Sequence, residues 1–427
     1  MYPDFQYLLE SLTGAEMPEW LSIFKTFGFF VAIAFLAAAW TLSLELKRKE
    51  KQGLLQPTTT IVEVGKPATM SEYIWSIVSG FIIGFKVGGI FGNIAQVSPD
   101  PLGYIFSAEG NLLTGIAGAG ILFYLKYREK KKQELPKPEQ RKVVTHPDQR
   151  SLEMLLIAAV SGMAGAKIFN AFETWDQFLA DPIGSLFSSA GLTFYGGLIV
   201  ATITLYFYSR KHNIPFKHLC DAAAPGLILA YGVGRLGCHF AGDGDWGIFN
   251  SAYITDTGST LRAAAAGEFA QVADRLAIVY KDITIIPHLY APAPSWLPDW
   301  LYGMNYAHNV NHDGVLIPGC TGSYCAVLPV SVFPTPLYEF ATCIILFGIL
   351  WALRMRLKLP LQLFGLYLIM NGLERFFIEK IRVNYKYDLG FIKPTQAEII
   401  STVLVITGLV LLFFVSRRLK DNKVPEQ

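Results

Sequence analysis

Two stretches of this chain place charged side chains where an apolar segment would otherwise continue. In GVGRLGCHFAGDGDWG, residues 232–247, Arg235 stands among Gly232, Gly234 and Gly237, and Asp243 and Asp245 follow in a Gly-Asp-Gly-Asp run. Small residues let a neighbouring backbone or a headgroup approach closely. A guanidinium there offers a planar fork suited to phosphate. In NGLERFFIEKIRVN, residues 371–384, Asn371, Arg375, Glu379 and Arg382 are spaced 4, 4 and 3. At about 100° per residue they form one polar stripe on a helix, which must face protein or a wet cavity because lipid does not tolerate it. The competing explanation of both stretches is structural: a helix end with Arg235 neutralised by a nearby Asp, and an Arg–Glu ladder between helices. Three lesser features join them: Tyr195 before Gly196-Gly197, Tyr338-Glu339 in PTPLYEF, and Thr395-Gln396 at the start of the last apolar segment. No Cys/His spacing suggests zinc and no glycine loop suggests a nucleotide, so no metal and no cofactor is expected.

The elements that must position these residues are apolar helices. Of 427 residues, 52% are hydrophobic and 16% charged, where a soluble domain carries about 25% charged residues. A net charge of +2 gives no support for a nucleic-acid partner. Apolar segments lie at about 22–45, 73–95, 112–127, 151–172, 191–209, 219–238, 336–353, 359–381 and 396–416. Nine spans are expected, in an all-α polytopic membrane protein. The N-terminal 21 residues carry acids and no Lys or Arg, whereas Lys47, Arg48, Lys49 and Lys51 close the first segment. Positive charge stays inside, so the N-terminus is expected outside and the C-terminus, with its 418–427 tail, inside. The topology puts Tyr195, Glu339 and Gln396 at the outer starts of spans and Arg235 and Arg375–Arg382 at outer ends, all at one depth.

Residues 22–150 hold the first span, a helix pair and a basic cytoplasmic loop. The pair is duplicated: DPLGYIFSAEGNLLTGIAGAGILF from Asp100 matches DPIGSLFSSAGLTFYGGLIVATIT from Asp181, 81 residues on, in Asp-Pro, Gly103/Gly184, Phe106/Phe187, Ser107/Ser188, Gly110/Gly191 and Gly115/Gly196. Both copies run the same way, unlike the inverted repeats of many transporters. Residues 248–333 are rich in Pro, Trp, Tyr and Gly and are expected to fold as a small outer cap, since a loop of that length needs structure of its own. Cys320 and Cys325 lie in it; an outward face permits a local disulfide, with two free thiols the other reading.

At FYGGLIV, CDAAAPGLILAYGVGRLG, LYE and RFFIEKIR, in that order, the sequence resembles the prolipoprotein diacylglyceryl transferase family of bacterial inner membranes, over roughly 22–45, 155–247 and 334–417. The resemblance makes 151–247 and 334–417 two halves of a transferase core. It implies transfer of the diacylglyceryl group of phosphatidylglycerol to the lipobox cysteine of a secreted precursor, with membrane lipids as surroundings and glycerol phosphate leaving. It implies Arg235 and Arg375 as the essential arginines. Tyr195 stands where many members carry His, Cys238 where Asn is usual, and Asp243 or Asp245 where Glu is usual. The site reading is therefore Arg235, Arg375 and Tyr195 as catalytic, and Gly196, Gly197, Cys238, Asp243, Asp245, Glu339, Asn371, Glu379, Arg382 and Gln396 as substrate-binding. The proton acceptor stays open between Tyr195 and the two aspartates. The alternatives are an inactive lipid- or lipoprotein-binding homologue and an anion transporter.

Overall fold

The computed structural model describes residues 1–98, 101–187, 191, 193–256, 259–272, 287–384, 386–388, 390 and 393–418. Asp100, Ser188, Arg275, Lys281 and the tail from 419 onward lie outside the described residues. The principal helices are α1 (Phe5–Thr13), α2 (Thr26–Lys51), α3 (Met70–Gly92), α4 (Leu112–Gln133), α5 (Ser151–Glu173), α6 (Phe194–Lys211), α7 (Phe216–Ala241), α8 (Thr335–Leu353), α9 (Gln362–Glu379) and α10 (Gln396–Val410). Each expected apolar segment carries one of them. Among the described residues, five helical stretches are long and apolar enough to cross a membrane, at Thr26–Lys51, Met70–Gly92, Pro147–Glu173, Thr335–Leu353 and Gln396–Val415. The chain is therefore a mostly helical, polytopic membrane protein.

The all-α expectation needs correction. Strands β1 (Thr58–Val64) and β2 (Glu139–Thr145) pair antiparallel, so the basic 126–150 stretch is helix end and strand rather than plain loop. The 248–333 insertion is a sheet structure: β3 (Phe249–Thr255) pairs with β4 (Leu261–Ala263), β5 (His288–Leu289) and β8 (Val330–Val332), while β6 (Val315–Leu316) pairs with β7 (Ala326–Val327). Its core gathers Trp246, Phe249, Ile254, Tyr306, Leu328, Val330 and Val332. Alternating β-branched residues had no 3.6-residue period to be read by, and the pairing is long-range. Cys320 and Cys325 form a disulfide in the cap.

The chain divides into two compact units. The first holds residues 1–15, 24–45 and 217–427, the second 16–23 and 46–216.

In the second unit the duplication is visible in three dimensions. Helix α3 packs on α4, and α5 on α6, each pair linked through a short helix that begins at the repeated Pro, Pro101–Phe106 and Pro182–Phe187. Glycines make both contacts. A Cβ at Gly84 would lie 2.2 Å from the Thr114 carbonyl oxygen, and at its counterpart Gly165, 2.5 Å from that of Gly196. Lys86 and Lys167, also 81 apart, turn back to the hairpin: the Lys86 Nζ donates to the carbonyls of Tyr104 (2.7 Å), Ser107 (2.6 Å) and Glu109 (2.9 Å), the Lys167 Nζ to that of Ser185 (3.4 Å).

In the first unit α7 is the central helix. Gly226, Gly232 and Gly237 leave no room for a Cβ against Thr41, Cys343 and Phe30. Asp221, in the CDAAAP run, is buried, and its two carboxylate oxygens accept the N–H groups of Leu361 (2.8 Å) and Phe364 (2.9 Å). A helix start leaves amides unsatisfied and carries partial positive charge. Asp221 thus caps α9 from α7, across 140 residues of sequence. Helix α9 packs on α10 through Gly365, Gly372 and Gly408, each closed to a Cβ by the facing helix.

Replacing Gly165 by Leu is expected to destabilise the protein by about 1–3 kcal/mol or more, because the facing backbone cannot give way. Gly120→Leu, where nothing lies within 4 Å, is expected to leave stability nearly unchanged. Thermal unfolding in detergent, with both variants measured side by side, checks the contrast.

Candidate active site

The first unit brings three arginines and three carboxylates together at the ends of α7 and α9 and the start of α8. Glu339, one turn into α8, is fully buried. Helix α8 starts there because Pro336 sits in its first turn, where the missing N–H costs nothing, and Thr335 Oγ1 donates to the Asp245 carbonyl at 2.9 Å. Glu339 receives three guanidiniums: Arg235 through Nε, Arg375 through Nη1 at 3.2 Å, and Arg382 through Nη1 at 3.7 Å. Tyr231, one turn before Arg235 on α7, donates its OH to Glu339 Oε2 at 3.3 Å, with its ring centre 5.1 Å from the Arg235 guanidinium. Arg375 also pairs with Glu379 at 3.0 Å, the i,i+4 spacing of a helix, and Asn384 donates to Glu379 at 2.7 Å.

Asp245 closes the cluster from the loop after α7, pairing with Arg235 through Oδ2 and Arg382 through Oδ1. The loop reaches this position because Gly242 (φ +67°) and Gly244 (φ +89°) take the left-handed conformation, while Gly247 comes too close to Ile381, Thr335 and Phe333 for any side chain. Backbone bonds Gly247 N to Phe333 O (2.8 Å) and Ile248 N to Ile381 O (2.8 Å) hold it. Burial would raise the Asp245 carboxyl, but Arg235 and Arg382 outweigh it and keep it below the ordinary carboxylate value. Asp243 makes no ion pair among the described residues: its Oδ1 accepts the Asp245 N–H at 3.3 Å, and burial pushes its carboxyl up against the opposing pull of the Cys238 thiol and the Arg235 charge. Arg235 Nη1 is 4.0 Å from the Cys238 sulfur. Donor atoms of Cys238, Asp243 and Asp245 lie within 4.8 Å of one another, the one group of possible metal ligands among the described residues. Two guanidiniums already neutralise Asp245, so this set is poorly suited to a cation.

The structure thus brings together Arg235, Cys238, Asp243, Asp245, Glu339, Arg375, Glu379 and Arg382. Within the first unit it does not do the same for Asn371 and Gln396, and Tyr195, Gly196 and Gly197 belong to the second unit. Asn371 is half-buried a turn below Arg375, outside the network's contacts. Gln396 is exposed; at this helix start Thr395 and Glu398 form a reciprocal cap, and Glu398 pairs with Lys380 at 2.5 Å. Tyr195 is half-buried in the first turn of α6, in the second unit. Gly196 and Gly197 pack against α5: a Cβ at Gly196 would lie 2.3 Å from that of Phe169, and at Gly197 2.9 Å from the Gly162 carbonyl. They have a packing reason to be glycine that needs no substrate.

Sequence reasoning passed over Tyr231, Asn384 and Glu374. Tyr231 is four residues before Arg235, a spacing that signals a shared helix face. Glu374 was hidden because it lies off the stripe: it is buried, with no hydrogen bond to either carboxylate oxygen among the described residues.

Comparison with known proteins adds a family to this geometry. The family model described as prolipoprotein diacylglyceryl transferase matches residues 112–414. A phosphatidylglycerol–prolipoprotein diacylglyceryl transferase of Dehalococcoides mccartyi is 27% identical over 273 residues, 64% of this chain and 79% of the relative. One of Xanthomonas axonopodis pv. citri is 30% identical over 264 residues, 60% and 72% of the two chains. The chain belongs to the prolipoprotein diacylglyceryl transferase family.

Removing one partner of a buried ion pair costs about 3–5 kcal/mol, because the other charge stays buried. Glu339→Gln, which leaves three guanidiniums short of a carboxylate, is expected to lower thermal stability by that order. The Asp245 contribution has a pH sign. Its pKa is depressed in the folded state, so the stability it adds is present above the unfolded value of about 3.9 and is lost as pH falls through the folded value. The difference in Tm between wild type and Asp245→Asn should be constant above about pH 5 and shrink below pH 4.

Proposed function

We propose that this member of the family transfers the diacylglyceryl group of phosphatidylglycerol to the lipobox cysteine thiol of secreted prolipoproteins, releasing glycerol phosphate. The observation that carries the reading is the convergence of Arg235, Arg375 and Arg382 on one buried carboxylate, within a domain that the family model covers. Its setting is a bacterial inner membrane, crossed nine times, with the N-terminus and the 248–333 cap outside and the basic ends of the helices inside. Residues 151–247 and 334–417 form the two halves of the catalytic core.

The chemistry follows from charge. The phosphodiester enters beside Arg235 and Arg375, whose guanidiniums take the charge that builds on the leaving glycerol phosphate. This is electrostatic stabilisation by donors already in place, and a site shielded from water strengthens it. The six charges of the network sum to zero, so the anionic substrate competes with Glu339, Glu379 and Asp245 for the guanidiniums it uses. The incoming thiol, of pKa about 8.5, must lose its proton to become a good nucleophile. Asp243 is the acceptor we favour. It makes no ion pair among the described residues, and burial raises its pKa toward the operating pH, where a general base works best. Asp245 is committed to two arginines, and a tyrosine, whose free side chain has a pKa of about 10, is a poor base in the place of Tyr195. The thiolate then attacks the glycerol carbon bearing the phosphate ester. The C–S bond forms as the C–O bond breaks, and the phosphate leaves with the bonding pair.

The test is purified protein in detergent with phosphatidylglycerol and a lipobox peptide, read by mass spectrometry for a diacylglyceryl adduct on the peptide cysteine. Arg235→Ala and Arg375→Ala are each expected to lower turnover by about 10²–10³-fold or more, and Asp243→Asn by about 10²–10⁴-fold. Tyr195→Phe is expected to retain most activity. Peptide binding without an adduct, beside an active control enzyme, would instead establish the inactive binding homologue.

A further inference from the structure

The first unit contains a cavity of about 570 Å³ that the proposed reaction does not use. Its wall includes His239 and Phe240 from the end of α7, Tyr7 and Glu10 from α1, and Trp300 and His308 from the cap. Its volume falls in the range of about 300–1,000 Å³ that holds a ligand of drug size, or a few residues of peptide. It has a fixed relation to the arginine cluster, because both are built on α7. His239 is four residues beyond Arg235, which places it on nearly the same face and about 6 Å further along the axis.

The wall is specific about what it accepts. His308 Nδ1 is 2.6 Å from the Tyr324 carbonyl oxygen, which can only accept, so the proton of the neutral ring sits on Nδ1 and Nε2 keeps its lone pair. His239 Nδ1 pairs with the Tyr306 hydroxyl at 3.2 Å. Tyr7, Phe240 and Trp300 add aromatic faces, and Glu10 is the one acidic side chain; no Lys or Arg lines the cavity. The Met1 amino group also lines the cavity, but it donates to the Ala307 carbonyl and burial lowers its pKa to about 6, so a phosphate finds little positive charge here, and an acyl chain has no N–H to give His308. An extended peptide offers both backbone N–H groups and small side chains to lay on aromatic rings.

We infer that this cavity seats the precursor polypeptide just after the lipobox cysteine, as a neutral or basic extended segment; the inference rests on the transferase reading. With the acceptor thiol beside Arg235, a strand rising about 3.3 Å per residue reaches the level of His239 after two residues. The seat therefore holds roughly the second to fifth residues after the cysteine. The 248–333 cap and α1 supply most of it, so this part of the chain selects precursors rather than lipid.

Two lipobox peptides test this, one ending at the cysteine as an amide and one continued by five small neutral residues. In wild type the longer peptide is expected to show about tenfold higher kcat/KM, carried by KM. Trp300→Ala is expected to remove that advantage while leaving the short peptide unchanged, and Trp300→Phe to restore it. Trp300 is half exposed, so the variant should fold, and turnover of the short peptide shows that it has. Acidic residues in the extension should weaken the effect, because Glu10 faces them. Equal turnover of the two peptides by wild type, or equal loss of both in Trp300→Ala, overturns the seat. Fluorescence anisotropy of the labelled peptides reads binding separately. Without turnover, tighter binding of the long peptide that Trp300→Ala abolishes keeps the seat and overturns the transferase reading; equal binding overturns the seat.

Discussion

A single carboxylate with no access to solvent, that of Glu339, is what the rest of the first unit is arranged around. A buried charge is costly unless it is paired and hydrogen-bonded, and this site holds several. They are tolerable because Glu339 is shared: Arg235 comes from α7, Arg375 and Arg382 from α9 and its end. The sharing fixes the geometry. Helices α7, α8 and α9 cannot slide past one another without leaving a guanidinium buried and alone. The glycines at 226, 232 and 237 let α7 sit close enough to its neighbours for this, and Asp221 fixes the start of α9. Packing and electrostatics therefore constrain the same three helices, one at each end of α7.

A neutral cluster of arginines is also the right starting state for binding an anion. Free guanidiniums in lipid would be too costly to hold in waiting. Guanidiniums already paired with carboxylates are affordable, and they can exchange partners when a phosphodiester arrives. In the proposed mechanism Asp245 is the partner best placed to yield, since it lies on a loop and is partly exposed, whereas the Glu339 and Glu379 side chains are enclosed.

Much of this was legible from residue spacing. The stripe identified the face of α9 that carries Asn371, Arg375 and Glu379, although the helix ends at Glu379 and Arg382 joins from the turn after it, and Arg235 among glycines marked the end of α7. Arg375 and Glu379 are a local pair, which is why helical periodicity finds them. The contacts that assemble the site are not local, and periodicity is silent about those: Asp221 to α9, Tyr231 to Glu339, and the turn that delivers Asp245. The same limit explains the cap, whose strands pair across loops, and the glycines at 196 and 197, which a motif resemblance assigns to substrate but a helix–helix contact already explains. Gln396 also has a simpler explanation. A polar residue at a helix start has capping as its commonest occupation, and here Thr395 and Glu398 perform it beside an exposed Gln396.

The order in which the paired residues occur along the chain has its own consequence. Membrane helices are made and inserted from the N-terminus onward, so partners far ahead in sequence do not yet exist when a charge first enters. Counting the six network members as they emerge, Arg235 is followed by Asp245, then Glu339, Arg375, Glu379 and Arg382. The running charge is +1, 0, −1, 0, −1 and 0. At no stage of synthesis does the growing site carry more than one uncompensated charge, and Arg235 waits only ten residues for its first partner. Asp221 likewise precedes the helix it caps. A circular permutant that began within α9 would keep every contact of the finished protein, yet it would release Arg375 and Arg382 long before Glu339, and its difficulty would lie in biogenesis rather than in the folded state.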